Sequence, residues 1–254
     1  MAFFSEGHLP LWETKMNKTL LILTLILSVV ISGCSSKSEI QRLDVSRDET
    51  IEMDLLSYDG DAAFEITDAY ITDNPGKEKI DPEDIDEHSF VMYESQSGKV
   101  EEAYRDEFLN HNGTMKYGAM MYVLHIKVTN VNAEYKNYQK DGFDTPYVFH
   151  ADNIFMNFID EKGKAVLSKS ADYFSGSRRE GMHWSYFELK PGETKEYAIG
   201  FIVGNVHREN GVNYCLNQYT PCVSSMQGGL EQPAKQYQIE WEDRRECEAQ
   251  SGMN

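Results

Sequence analysis

The sequence predicts a mainly β domain, built as a sandwich of short strands. Apolar and polar residues alternate along several segments, most clearly in Met120–Asn130, and a period of two is typical of half-buried strands. Turn residues separate these segments: Gly163 follows Asn153–Asp160, and Lys190–Glu193 has proline at its second position and glycine at its third. Strands do not alternate with helices along the chain, which argues against a parallel α/β fold.

The first residues have the features of a bacterial secretion signal. Lys18 precedes an apolar run of 13 residues, 19–31, and Ser32, Gly33 and Cys34 follow. A membrane span needs roughly 20 apolar residues, so a signal peptide cleaved after residue 33 is favoured over a transmembrane helix. The Ile-Ser-Gly-Cys ending resembles the bacterial lipobox, whose cysteine is acylated, which implies a palmitate-type lipid anchor on Cys34.

The remaining chain divides into three predicted parts. Residues 34–50 are polar and aperiodic and predict a flexible spacer, residues 51–242 form the β domain, and residues 243–254 form a polar tail. Residues 1–15 carry two glutamates and a proline, unlike the start of a signal peptide, so Met1 and Met16 both remain candidate start sites.

Charge and cysteine content limit the partners. The net charge of −18 argues against nucleic acid and other polyanions, because they would be repelled. In an oxidising compartment Cys215 and Cys222 could close a small disulfide loop; the alternative is two thiols. These two residues and Cys247 are too few and too widely spaced for a zinc site.

One helix is predicted, inside an insertion that runs from about residue 73 to residue 118. In Lys99–Asn110 the apolar residues Val100, Ala103, Tyr104 and Phe108 recur at helical spacing.

Known catalytic and metal-binding motifs are not found in the sequence. It has no Gly-x-Ser-x-Gly elbow, no His-Glu-x-x-His and no phosphate-binding glycine loop. A dispersed hydrolase site could still draw on Ser175, Ser177, His125 and His183. The acidic segments 59–61 and 81–88 lack the register of a calcium loop, so neither a metal nor a cofactor is expected.

Aromatic residues in polar, turn-rich segments are the candidate ligand contacts. Tyr135, Tyr138, Tyr147 and Trp184 are the residues of this kind. Exposed rings anchor protein or glycan partners well, but large residues of small β domains also fill the core. Both interpretations remain open from the sequence.

Three pieces of the chain together resemble a known family. A strand ends in Lys127-Val128-Thr129-Asn130, a hairpin follows at Phe158–Gly163, and Leu189–Thr194 precedes Phe201–Val203. This order is similar to the telokin-like, immunoglobulin-like domains of unknown function in surface lipoproteins of Gram-positive bacteria, over about residues 62–241. The resemblance implies an immunoglobulin-like fold without catalytic residues; the insertion and the segment from Cys215 to Cys222 depart from the family pattern.

The sequence therefore predicts a lipoprotein on the outer face of the cell membrane, held by lipid on Cys34. Its expected role is non-enzymatic: binding or adhesion to a protein or glycan, or an accessory part of a surface assembly. A hydrolase with a dispersed site and a solute-capturing lipoprotein are the alternatives. The second is disfavoured because such proteins usually have two α/β lobes.

Overall fold

The computed structural model of the chain describes residues 41–45, 50–51, 58–150, 154–175, 186–225 and 235–245. These residues form mainly β-strands in several sheets, which confirms the mainly β character that the sequence predicts. None of the helices in these ranges has the length and apolar character that crossing a membrane requires. The predicted signal peptide, Cys34, Trp184 and Cys247 lie outside the described residues.

One large sheet has five strands. In spatial order they are β1 (Gln41–Val45), β18 (Lys235–Ile239), β17 (Thr220–Ser225), β10 (Ile154–Ile159) and β11 (Ala165–Ser170). Neighbouring strands are antiparallel except β1 and β18, which run parallel. Among the described strands, β11 pairs with β10 alone and forms one edge of the sheet.

The second large sheet is built around three long strands. In spatial order its strands are β12 (Tyr173–Phe174), β14 (Thr194–Val203), β7 (Met120–Asn130), β4 (Ala62–Thr72) and β19 (Glu242–Asp243), and β2 (Thr50–Ile51) also pairs with β4. All of these pairs are antiparallel except β19 with β4.

Short two-stranded ribbons and single helical turns complete the described fold. The ribbons are β3 (Tyr58–Asp59) with β8 (Glu134–Tyr135), β5 (Phe90–Glu94) with β6 (Val100–Tyr104), β9 (Val148–His150) with β13 (Tyr186–Glu188), and β15 (Val206–Glu209) with β16 (Val212–Cys215). The helical turns are α1 (Arg105–Phe108) and the 3₁₀ turns Pro82–Asp84 and Leu216–Gln218.

The inner faces of the two large sheets share one hydrophobic cluster. Leu124, Ile126 and Val128 of β7 lie in it together with Phe158 of β10 and Val223 of β17. The alternation that the sequence shows in Met120–Asn130 is confirmed, because the inward residues are buried while His125, Lys127 and Thr129 are only partly so. The main core therefore lies between the two sheets.

A second hydrophobic cluster covers the outer face of the sheet that contains β7. Met121 and Val123, which point away from the main core, pack there with Val91, Ala103 and Phe108 of the insertion. The amino-terminal half of β7 is thus buried on both faces. The insertion is held to the domain by apolar packing of this kind, the largest favourable contribution in folding.

The helix predicted over Lys99–Asn110 is wrong for most of its length. Val100–Tyr104 is the strand β6, paired with β5, and only Arg105–Phe108 is helical. Gly98, at φ +74°, closes the turn between the two strands. Pairing with β5 decides the conformation because Ala103 then faces the second cluster, while Tyr104 remains 52% exposed.

Two predicted boundaries are also corrected. Gln41–Val45, inside the predicted flexible spacer, is the edge strand β1, because its backbone pairs residue by residue with β18. Asp243, placed in the polar tail, belongs to β19, and the Arg244 N–H donates a hydrogen bond to the Ile71 carbonyl. The domain therefore begins before residue 51 and extends beyond residue 242.

Both turns that the sequence predicts are confirmed. Gly163, at φ +81°, closes the hairpin of β10 and β11, with its N–H bonded to the Asp160 carbonyl. In the second turn the Glu193 N–H donates to the Lys190 carbonyl, and Gly192 has φ +83°.

Candidate functional site

A cleft of about 250 Å³ opens between the insertion and the edges of the two large sheets. Its walls come from β5, β11, the end of β14, the start of β15 and Leu216. Most of the lining is apolar; its polar residues are Lys169, His207, Ser168 and Ser170, and Lys169 lies on the opposite face of β11 from the two serines.

Gly204 allows two walls of the cleft to approach each other closely. This residue follows β14, and a Cβ atom built on it would lie 1.9 Å from the carbonyl oxygen of Met92 in β5. Real Cβ atoms do not approach backbone oxygens so closely. A glycine at this position lets the backbone of the insertion pack directly against the end of β14.

A buried ion pair lies in one wall. Lys169 Nζ lies 3.1 Å from Asp172 Oδ1, and the Asp172 side chain is almost fully buried. The same carboxylate accepts hydrogen bonds from Ser89 Oγ at 2.8 Å and from the Ile202 N–H at 2.7 Å. Through these three contacts Asp172 links the insertion, β14 and the edge strand β11, which carries Lys169.

Burial and hydrogen bonding have opposite effects on this carboxyl group. Burial, the largest cause, raises the pKa of Asp172 above its ordinary value, whereas Lys169 and the donors from Ile202 and Ser89 lower it. With both groups ionised, the charges of the pair sum to zero. The polar wall of the cleft then carries a strong local dipole without a net charge.

Aromatic rings form the outer rim of the cleft. Lys169 Nζ lies 5.5 Å from the centroid of the Phe90 ring, within the range of a cation–π contact. Phe90 is 41% exposed, and its ring centroid lies 6.1 Å from that of Tyr104 on the paired strand β6. This exposed pair is available to a ligand that approaches the cleft.

His207 supplies the second nitrogen-bearing side chain of the lining. It is half-buried, and its ring stacks on that of Tyr214 with 6.2 Å between centroids. Burial lowers its pKa, an effect that Glu209 partly offsets. The imidazole is therefore neutral at neutral pH, with one nitrogen that donates and one that accepts.

The hydroxyl of Ser168 in β11 bonds to the neighbouring strand β10. Ser168 Oγ donates a hydrogen bond to Asn157 Oδ1 at 2.5 Å, and Asn157 Nδ2 donates to Ser224 Oγ at 2.5 Å. A nucleophilic serine needs a base to accept its proton, and here the acceptor is an amide oxygen. The arrangement suits binding better than nucleophilic chemistry.

The aromatic residues predicted as ligand contacts lie away from this cleft. Tyr135 is only 7% exposed, packs between Tyr58 and Phe143, and donates a hydrogen bond to Asp141, so its prediction as a surface contact is wrong. Tyr138 and Tyr147 are half-buried, and Tyr138 packs against the main core. None of the three lines the cleft.

The cysteine positions of the predicted disulfide differ strongly in burial. Cys215, at the end of β16, is exposed, whereas Cys222, in β17, is 1% exposed. The structure contains no disulfide bond between them.

The residues that the sequence suggested for catalysis or calcium binding are not brought together, and each has its own local contacts. Ser175 Oγ accepts a hydrogen bond from the Ala198 N–H, while His125 Nδ1 lies 3.8 Å from Glu196; Ser177 and His183 lie outside the described residues. Asp81 and Asp86 cap turns within the acidic segment by accepting backbone hydrogen bonds. No group of three or more His, Cys, Asp or Glu side chains in the described ranges is arranged to hold a metal ion.

Sequence reasoning missed the residues of the cleft because the chain supplies them from distant segments. One local signal was present: Asn210-Gly211, between Val206–Glu209 and Val212–Cys215, is typical of a tight hairpin turn. The structure has this hairpin, with φ +50° at Asn210 and +80° at Gly211. It places His207 at the cleft.

No protein-family model, curated protein sequence or solved structure matches the chain.

Proposed function

We propose that the protein is a lipoprotein on the outer face of the cell membrane, whose immunoglobulin-like β-sandwich binds a ligand and does not catalyse a reaction. In this proposal residues 1–33 are a signal peptide, lipid on Cys34 is the anchor, and the described domain carries the binding site. The cleft beside the insertion is the observation that carries the binding role.

The amino-terminal sequence supports the anchor. Lys18, the apolar run 19–31 and the small residues before Cys34 are the parts of a lipoprotein signal. Two or more acyl chains hold a protein stably at a membrane, whereas a single chain does not.

The arrangement of the two large sheets supports an immunoglobulin-like sandwich. Their inner faces share one core, as in sandwich folds. Two of the pieces on which the family resemblance depends are bonded to each other: Asn130 Nδ2 donates to the Leu189 carbonyl at 2.7 Å, and the Gly192 N–H donates to the Asn130 carbonyl at 2.6 Å.

The chemistry of the cleft supports binding. Apolar walls with a few fixed polar groups are typical of ligand pockets. Lys169 forms an ion pair with Asp172, and Ser168 donates a hydrogen bond to Asn157. These contacts orient the side chains without activating a nucleophile.

Acylation of the full chain tests the anchor. Cells that express it are fed an alkyne-tagged palmitate, and we expect the label in the membrane fraction of the wild type and its loss in Cys34→Ala. The matched variant Cys247→Ala should keep the label. Equal labelling of wild type and Cys34→Ala, or an unlabelled wild-type protein in the cytosol, would contradict the proposal.

Fragment screening of the purified full chain by ligand-observed NMR tests binding at the cleft. Leu167 is half-buried and lines the cleft on the same face of β11 as Lys169, so Leu167→Trp should fill it and abolish the hits. Ser97→Trp changes an exposed serine in the turn between β5 and β6 and should retain them. Hits that survive Leu167→Trp would place binding elsewhere.

A further inference from the structure

We infer that the cleft takes a small, uncharged and mainly apolar ligand with one polar end that both donates and accepts hydrogen bonds, such as a carboxamide or an alcohol. This inference rests on the proposed binding function and adds the chemical class of the ligand.

The size of the cleft sets the size of the ligand. Its volume of about 250 Å³ lies below the roughly 300–1,000 Å³ of pockets that hold drug-sized molecules. The ligand is therefore expected to be smaller than a drug-sized molecule.

The walls require that most of this molecule be apolar. Val91 of β5, Leu167 of β11, Ile202 and Val203 of β14, and Leu216 present hydrocarbon to the cleft. A sugar or another molecule with hydroxyl groups on every side would lose hydrogen bonds to water against these walls without replacing them. An alkyl chain or a small ring loses none.

The charges around the cleft argue against an ionic ligand. Asp172 already balances Lys169 at 3.1 Å, so an anion would enter a neutral site and lose its hydration. A cation would likewise lose its hydration on entering this neutral site. The chain as a whole carries a net charge of −18, which lowers the local concentration of anions further.

The polar side chains of the lining suit a group that donates and accepts. Lys169 is a donor only, whereas a neutral imidazole at His207 donates with one nitrogen and accepts with the other. A carboxamide or alcohol can satisfy such a set. A carboxylate, which only accepts, and an ammonium, which only donates, can satisfy it in part.

Three probes with the same alkyl chain test the inference: hexanamide, hexanoate and hexylammonium. Each is titrated against the full chain at pH 7.5, with ligand-observed NMR as the readout. We expect hexanamide to bind at least tenfold more tightly than either ion. Leu167→Trp should abolish this binding, and Ser97→Trp should leave it unchanged.

Two further variants keep the test independent of how Leu167→Trp folds. Phe90→Ala removes an exposed ring from the rim and should weaken hexanamide about threefold or more. His207→Phe keeps a ring beside Tyr214 but removes both ring nitrogens, and should reduce the preference for the amide over the carboxylate.

Hexanoate binding as tightly as hexanamide, or more tightly, would overturn the inference and leave the proposed binding function intact. No binding of hexanamide at 10 mM, or binding that neither Phe90→Ala nor His207→Phe alters, would also overturn it. Failure of the anchor is detected separately, by the palmitate label on Cys34.

Discussion

The guanidinium carbon of Arg244 lies 4.0 Å from the centroid of the Tyr70 ring, on the outer face of the sheet that contains β4. The same guanidinium donates to Asp68 at 2.9 Å, to Glu242 at 2.7 Å and to Glu78 at 3.3 Å. Asp68 belongs to β4 and Glu78 to the insertion, so one residue beyond the last strand connects three parts of the domain.

Arg244→Ala should lower the free energy of unfolding by about 1–2 kcal/mol, because it removes a stacked, partly buried cation shared by three carboxylates. Urea denaturation of the full chain measures this. Arg245→Ala is the matched control: Arg245 is exposed and pairs with Asp243 alone among the ion pairs described, so its loss should cost at most about 0.5 kcal/mol. Equal effects of the two variants would show that the contacts of Arg244 add no stability.

Lys169→Met should destabilise the protein by about 3 kcal/mol, because it leaves the Asp172 carboxylate buried without its cation. The double variant Lys169→Met/Asp172→Asn should be more stable than Lys169→Met, since no buried charge remains. Urea denaturation at pH 7 provides both values. A double variant that is less stable than Lys169→Met would show that the carboxylate stabilises the fold even without the lysine.

Stability should fall as the pH is lowered through the range just below 6.5. Burial holds the pKa of His207 below its ordinary value of 6.5, so in this range the unfolded chain binds a proton that the folded chain does not. Because the unfolded state then binds more protons, the free energy of unfolding decreases with decreasing pH. Denaturation at pH 7.5 and pH 5.5 should show a smaller decrease for His207→Gln than for the wild type. If the free energy of unfolding decreases as much in His207→Gln as in the wild type, groups other than His207 cause the pH dependence.

Gly204→Ala should destabilise the domain by about 1–3 kcal/mol, because the new Cβ would meet the Met92 carbonyl oxygen at 1.9 Å and force the strands apart. Gly192→Ala is a comparison without a steric clash. Gly192 has φ +83°, and a Cβ atom built on it would meet no neighbouring atom within 4 Å, so only backbone strain opposes the substitution. Thermal denaturation compares the two. Only Gly204→Ala should also weaken binding at the cleft; unaltered binding in that variant would show that this contact does not shape the site.

The strands of the main core could be predicted because their signal is local. In Met120–Asn130 the apolar side chains recur at every second residue, and the inward set is the one that the structure buries. The turns at Gly163 and Gly192 could be predicted for the same reason. Each requires a backbone conformation that glycine adopts readily.

The insertion shows where local patterns fail. Val100, Ala103 and Phe108 fit a helical spacing, but pairing with Phe90–Glu94 places Val100–Tyr104 in a strand. That pairing depends on a segment outside the window in which the spacing is read. Tertiary contacts therefore override the helical pattern.

The candidate site could not be predicted from the sequence for a similar reason. Phe90, Lys169 and His207 come together only when the insertion packs against the ends of β11 and β14, and no motif links them along the chain. The polar surroundings of Tyr135 suggested an exposed ring. Its burial results from aromatic packing against Tyr58 and Phe143, which sequence neighbours do not reveal.

The parallel pairing of Gln41–Val45 with Lys235–Ile239 affects how the protein matures. Gln41–Val45 is synthesised well before Lys235–Ile239, so the hydrogen bonds between the two strands can form only after residues 235–239 have been made. A nascent chain stalled before residue 235 would keep an unfinished sheet edge, the part of the molecule most open to proteases and to pairing with other unfinished chains.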